Sequence, residues 1–221
     1  MRLQSGTVIE AQALLFDMDG TLIDSRVVVE KIWKRWCDEN GIDWHTVLPR
    51  LHGVRMRDSV EMFAKPGMDV EAVYQRLYRE EVEDVDGIVP IPGAVELLAS
   101  LPPEAWTIVT SADTVLAKAR LGAAGLVPPP RMVTGEIVTL GKPDPEGYLL
   151  GARRMGADPK DCLVFEDAKA GIDAGLAAGA RVVAIAGDHP EEVPPNVEWV
   201  TDLTSLRFDG MRDGKVLLRV V

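Results

Sequence analysis

Asp17 and Asp19 sit two residues apart in Phe16-Asp17-Met18-Asp19-Gly20-Thr21, directly after an apolar run at 11–16. Two carboxylates at that spacing repel each other. A divalent cation is the economical compensation, and hard oxygen ligands suit magnesium. Gly20 and Thr21 permit a tight turn. Taken alone, the segment is also readable as a loop of turn-forming residues. Glu166 and Asp167 make a second acidic pair, again directly after an apolar run, Leu163-Val164-Phe165. Lys142, between Gly141 and Pro143, stands in a loop of restricted backbone freedom. Thr110 and Ser111 end the stretch 106–111 with hydroxyls and backbone donors. Singly, these features have ordinary explanations: a helix N-cap, a solvated loop charge, a strand end. A chain seldom places all of them at the ends of successive apolar runs.

Those runs, at 11–16, 106–110, 162–165 and 181–185, are short, rich in Val, Ile, Leu and Phe, and break into polar or small-residue loops. Segments of helical length separate them, at 95–100, 115–124, 145–155 and 171–178. Strands alternating with helices predict an α/β fold, a doubly wound (Rossmann-like) parallel sheet covered on both faces. Ligands bind such sheets beyond the carboxyl ends of the strands, so the polar loops should converge on one site. Residues 25–91 break the rhythm. They carry apolar residues at helical spacing (Val28, Ile32, Trp36; Val60, Phe63; Val70, Val73, Leu77) and no convincing strand. Gly87, Pro90 and Pro92 mark the return to the sheet. The expected division is an α/β core of residues 1–24 and 92–221 with a helical cap at 25–91. Residues 188–196 read as a polar loop and 211–221 as a terminal strand.

The succession Leu15-Phe16-Asp17-Met18-Asp19-Gly20-Thr21, then Ile108-Val109-Thr110-Ser111, then Gly141-Lys142-Pro143, then Val164-Phe165-Glu166-Asp167 resembles the haloacid dehalogenase-like superfamily along nearly the whole chain. The resemblance implies a core whose small helical cap opens and closes over the site. It implies Asp17 as a nucleophile that takes up a phosphoryl group, and Asp19 as acid and then base. It implies Mg2+ on the Asp17 carboxylate, the Asp19 carbonyl and Asp167, with Glu166 assisting directly or through water. Thr110 and the Ser111 backbone would hold phosphate oxygens, and Lys142 would neutralise the assembly.

Family membership alone does not fix the reaction. The dehalogenating branch lacks the second aspartate, and Asp19 is present. The phosphonate-cleaving branch replaces it, and no good cap lysine is apparent beyond Lys31 and Lys34. The phosphoglucomutase branch has a histidine early in the cap, whereas Arg26–Lys31 contains none. A magnesium-dependent phosphatase acting on a small sugar or polyol phosphate is the expectation; a phosphosugar mutase or a non-catalytic module on the same fold are the alternatives. In the cap, Leu51-His52-Gly53-Val54-Arg55 resembles a stretch of glycerol phosphate and deoxyglucose phosphate phosphatases. Arg55 would reach substrate on closure or hold cap to core, and His52 reads as a packing residue. Trp33, Trp36 and Trp44 are expected to form the cap's core, and Asp24 to cap its first helix.

A formal net charge of −11 argues against a nucleic-acid partner, because that surface repels a phosphate backbone. Attraction of a small phosphate ester must then be local, through a bound cation and a few placed basic residues. No run approaches the roughly 18 apolar residues of a membrane span, and the N-terminus has no signal-like apolar core. A cytoplasmic monomer or weak dimer, with no membrane partner, is expected. Cys37 and Cys162 read as buried apolar residues rather than metal ligands.

Overall fold

Ala13-Leu14-Leu15-Phe16 is apolar at every position, the pattern of a strand covered on both faces, and all four residues are buried. In the computed structural model, which describes residues 1–221, this strand is β2 (Ala13–Phe16). It follows β1 (Val8–Ala11). Two short strands come next, β3 (Ile23–Asp24) and β4 (Val89–Pro90). The remaining core strands are β5 (Trp106–Ile108), β6 (Cys162–Glu166), β7 (Arg181–Ile185) and β8 (Glu198–Val200). They form a parallel sheet in the order β5-β2-β6-β7-β8. Alternation along the strands sorts side chains into two layers. Leu14, Phe16, Leu163, Phe165, Val183 and Ile185 face one core; Ala13, Leu15, Cys162, Val164, Val182 and Ala184 face the other. Phe16 stacks on Phe165, ring centres 4.7 Å apart, locking β2 to β6.

The helices α5 (Ala94–Ser100) and α6 (Thr114–Ala123) supply one layer. The helices α7 (Glu146–Met155) and α8 (Lys169–Ala177) supply the other. The chain passes from β2 to β5 on one side, then crosses to β6 on the other. The carboxyl end of β2 is therefore the switch point where such a sheet opens a crevice.

Between β3 and β4 the chain builds α1 (Arg26–Asn40), α2 (Trp44–Val47), α3 (Met56–Phe63) and α4 (Val70–Glu83). Val28, Ile32, Trp33 and Trp36 bury one face of α1, and the two indoles meet edge to face at 5.6 Å. Trp44 is only partly buried against them. The segment leaves and re-enters the core side by side, because β3 and β4 pair antiparallel (Ile23 with Pro90, Asp24 with Val89).

Besides the strand at Val89–Pro90, inside a segment expected to hold none, three features differ from the sequence expectation. The run at 11–16 is two strands: Gln12 separates them, its N–H donating to Asp161 O, and β1 turns to a second sheet. The terminal strand is a hairpin, β9 (Leu206–Arg212) and β10 (Lys215–Val220), whose turn Asp213-Gly214 has positive φ at both residues (50° and 75°). That is the two-residue turn matching strand twist, and with β1 it makes the antiparallel sheet β1-β10-β9. β8 fell outside the sequence reading altogether. Cys37 and Cys162 are buried and unbridged, and no helix is long and apolar enough to cross a membrane.

Candidate active site

The loop after β2 turns at once. Met18 O accepts from the N–H groups of Leu22 (2.8 Å) and Ile23 (3.0 Å), and Gly20 N–H donates to Ile23 O (2.7 Å). Gly20 is required twice over. Its φ is +85°, and a Cβ there would lie 1.9 Å from Asp167 Oδ2. The turn thus delivers Asp17 beside the acidic loop that follows β6. Gly171 does the same for Glu166, since a Cβ at Gly171 would sit 1.6 Å from Glu166 Oε1.

Lys142 is the hub beneath. Its ammonium donates to Asp17 Oδ1, to Glu166 Oε1 (2.6 Å) and to Val109 O (3.2 Å). All three side chains are buried. Glu166 is saturated: Oε1 also accepts from Tyr148 OH (2.8 Å), and Oε2 from the N–H groups of Asp167 (3.0 Å) and Ala168 (3.2 Å). The ammonium thus meets two carboxylates of a cluster of three, for ligand atoms of Asp17, Glu166 and Asp167 all lie within 4.8 Å of one another. Burial, and next Glu166, push the Asp17 carboxyl up to about 8. The same causes, with Asp17 added, hold Asp167 well above the usual carboxylate range. Burial works against the Lys142 charge, but Asp17 and Glu166 overrule it and keep the ammonium protonated. A compact oxygen-donor set short of positive charge fits a divalent cation.

Above this floor is a cavity of about 350 Å³, lined by Asp17, Asp19, Thr110, Ser111 and Arg55 together with residues of α1, α3 and α4. Lys142, Glu166 and Asp167 lie outside that lining, behind and beside Asp17. All eight sequence-predicted residues are thus brought to one place. Thr110 Oγ1 accepts from Ala112 N–H (3.1 Å), and Ser111 Oγ donates to Gly53 O (2.9 Å), joining the core loop to the helical segment. Arg55 grips Asp58 through Nε (2.8 Å) and Nη2 (3.1 Å) and donates through Nη1 to Thr139 O (3.1 Å). It therefore ties the helical segment to the core while lining the cavity. His52 Nε2 faces Glu30 at 3.3 Å. Asp24 is not the helix cap: Ser25 holds that position, and Asp24 instead accepts from Arg26 N–H (3.1 Å) and grips its guanidinium.

Sequence reasoning missed Tyr148, Glu81 and Arg120. Arg120 donates from Nη1 to Asp19 Oδ1 (2.8 Å) and from Nη2 to Glu81 Oε2. The available signal was a charge inside an apolar stripe. The buried face of α6 is Leu116, Ala117, Arg120 and Leu121, and that of α4 is Leu77 and Glu81. Charged residues are almost never fully buried unless paired.

A doubly wound core with a helical segment inserted after an Asp-x-Asp turn defines a class, the haloacid dehalogenase-like hydrolases. That family's profile matches residues 11–179, and the chain belongs to it. Hexitol phosphatase A of Escherichia coli is 41% identical over 187 residues, 83% of this chain and 86% of that protein. Glycerol-1-phosphate phosphohydrolase 2 of Saccharomyces cerevisiae is 34% identical, covering 80% of this chain and 76% of its own. Among solved structures, β-phosphoglucomutase of Clostridium difficile superposes with a TM-score of 0.76 at 22% identity, over 90% of this chain and 94% of that one. At that identity the likeness is one of fold. The chain is a phosphatase of this family.

The raised carboxyls give a pH-dependent expectation. Without metal, folded Asp17 holds a proton between its ordinary 3.8 and about 8, where the unfolded chain does not. The stability this supplies is present at low pH and lost as pH rises through that window. A metal needs the carboxylate and competes with the proton. The melting temperature of chelator-treated protein should therefore fall more between pH 5.5 and 8 than that of Asp17→Asn. The rise on adding magnesium should grow over the same range. A magnesium effect equal at both pH values contradicts this.

Proposed function

We propose that the protein is a magnesium-dependent phosphatase of small sugar or polyol phosphates, working through an aspartyl-phosphate. The observation that carries this reading is Asp17: a buried carboxylate fixed by Lys142 at the carboxyl end of β2, facing the cavity beside Asp19. An Asp17 oxygen attacks phosphorus in line, and the bond from phosphorus to the ester oxygen breaks. Asp19 protonates the departing alkoxide, then removes a proton from the water that attacks phosphorus. Inorganic phosphate leaves and the Asp17 carboxylate is restored. Thr110 Oγ1 and the Ser111 N–H hold phosphoryl oxygens, and Lys142 offsets charge on the nucleophile–phosphate pair. Asp17, Asp167 and the Asp19 carbonyl would hold magnesium, with Glu166 acting through Lys142 or a water; the ion supplies charge compensation at the phosphoryl oxygens. The absence of a histidine in Arg26–Lys31 favours hydrolysis over the mutase alternative.

Charge balance in the cavity supports a neutral, polyhydroxylated leaving group. Its four basic side chains all face carboxylates: Arg55 with Asp58, Arg57 with Glu71, Arg120 with Asp19 and Glu81, His52 with Glu30. A second anionic group on the substrate would find no uncommitted cation, while the acidic oxygens accept from hydroxyls. The names of hexitol phosphatase A and the glycerol-1-phosphate phosphohydrolases accord with this, whereas that of a more distant relative, 6-phosphogluconate phosphatase of Escherichia coli at 26% identity, does not. The test is phosphate release, with and without magnesium, from hexitol, glycerol and deoxyhexose phosphates against a phosphorylated sugar acid and a sugar bisphosphate. Neutral esters should exceed the doubly anionic ones in kcat/KM by roughly tenfold or more. Equal or better turnover of the sugar acid ester would remove the charge argument.

A further inference from the structure

Arg120 occupies an unusual position for a residue the proposed chemistry does not use. It is 5% exposed and sits on α6, yet its guanidinium is divided between two carboxylates of different parts of the molecule. Nη1 reaches Asp19 Oδ1 in the loop after β2, and Nη2 reaches Glu81 Oε2 on α4 of the inserted helical segment. Glu81 is itself 3% exposed and is clamped from the other side, its Oε1 accepting from Trp33 Nε1 at 2.9 Å. The Arg120 Nε is buried without a partner. A group placed only for stability gains little from such an arrangement. Arg120 and Glu81 are held out of water while Asp19 is only partly covered, one donor is left unpaired, and apolar side chains of similar volume would commonly do as well as a buried ion pair.

What the arrangement does achieve is orientation. Asp19 Oδ1 accepts from Arg120 and also from Ser25 Oγ (2.6 Å), the residue at the start of α1. Two donors on one oxygen fix the carboxylate plane, and Oδ2 keeps no protein partner beside the cavity. Both donors are tied to the inserted segment: Ser25 begins it, and Arg120 is anchored to it by Glu81.

We propose that Arg120 is a positioning residue for Asp19, and that Glu81, from the helical segment, sets Arg120. This rests on the acid–base role proposed for Asp19. Seating of α4 against the core and orientation of the Asp19 carboxylate are then one event, so a polyol ester that holds the helical segment in place also aligns the group that protonates its leaving oxygen.

A double-mutant cycle tests this. Arg120→Gln should lower kcat on a polyol phosphate by about 10- to 100-fold, the size of effect a misplaced catalytic group produces, with KM changed by less than about threefold. In an Asp19→Asn background the same substitution should change the rate by less than about twofold, because the residue acts through a carboxylate no longer there. All four proteins are assayed on the polyol phosphate and also on one aryl phosphate, whose good leaving group gives the Asp19→Asn background a measurable rate, so that each cycle closes on a single substrate. Glu81→Gln keeps the side chain's shape and its acceptor for Trp33, and should lose about 3- to 10-fold in kcat with the same silence in the Asp19→Asn background. It serves if Arg120→Gln does not fold, as read by circular dichroism. Additive losses in both backgrounds, or a lowered melting temperature with kcat intact, overturn the positioning role. Failure of the underlying reading looks different: Asp19→Asn alone would then turn over the polyol ester at close to the wild-type rate.

Discussion

Asp17→Asn should reduce turnover by on the order of 10⁴-fold, as loss of a nucleophile in a concerted site does, while leaving the fold intact. The amide is nearly isosteric with the carboxylate, so the packing at the end of β2 has no reason to change. It neither attacks phosphorus nor carries the charge that a cation needs. Stability is the informative second readout. Lys142 keeps its contact to Glu166 at 2.6 Å, so the ammonium is not orphaned by the substitution. One carboxylate is removed from a group of three that share one positive charge. The metal-free variant should therefore melt at or above the wild-type temperature, and the magnesium-induced rise should shrink. Phosphate release at saturating magnesium, paired with thermal melts with and without the ion, reads both. A folded variant that keeps more than a few per cent of wild-type turnover would remove Asp17 from the nucleophile's role.

That Asp17 could be singled out from sequence follows from where it stands. Asp17, Thr110 and Glu166 each end or follow a short apolar run, and the parallel sheet brings such run-ends together whatever the details of packing. The same logic located Asp19, Ser111 and Asp167, one or two residues further on. Gly20 is legible as a turn residue, but the second reason for it, and the reason for Gly171, are visible only afterwards: the carboxylates of Asp167 and Glu166 occupy the space a Cβ needs. Arg120, Glu81 and Tyr148 were not legible. Arg120 meets Asp19 across 101 residues, and Trp33 meets Glu81 across 48; no local pattern encodes those distances. A charge within a buried stripe says that a partner exists without saying which. The strand boundary has a local mark, the polar Gln12 inside the apolar run, but that β1 leaves for a second sheet is set by the distant pairing of Val8–Ala11 with β10. The terminal hairpin, by contrast, departs from the single strand expected at 211–221 despite a local signal for it, the turn dipeptide Asp213-Gly214.

Lys142→Met should be the most destabilising single change at the site, and the reason is electrostatic rather than steric. Methionine fills most of the space of the lysine stem, so little cavity is created. The ammonium it deletes is the partner of Asp17 and Glu166, both buried, and removing one partner of a buried ion pair costs about 3–5 kcal/mol. Tyr148 OH and two backbone N–H groups still serve Glu166, which leaves Asp17 as the more exposed to the loss. Two remedies should then work on the variant and distinguish this cause from poor packing. Lowering the pH should restore stability, because the remaining carboxyls are already raised above their ordinary values and protonation removes the repulsion. Magnesium should restore it at higher pH, because the ion replaces the missing charge. Turnover should nonetheless stay low, by roughly 10²–10³-fold, since an ammonium fixed at the nucleophile also offsets charge on the phosphoryl oxygens as they approach. Urea unfolding of wild type and variant at pH 6 and 8, with and without magnesium, measures the first three effects, and phosphate release the fourth. A loss below about 1 kcal/mol at pH 8 without metal, the worth of an exposed pair, would mean that the three carboxylates do not depend on Lys142 for their charge.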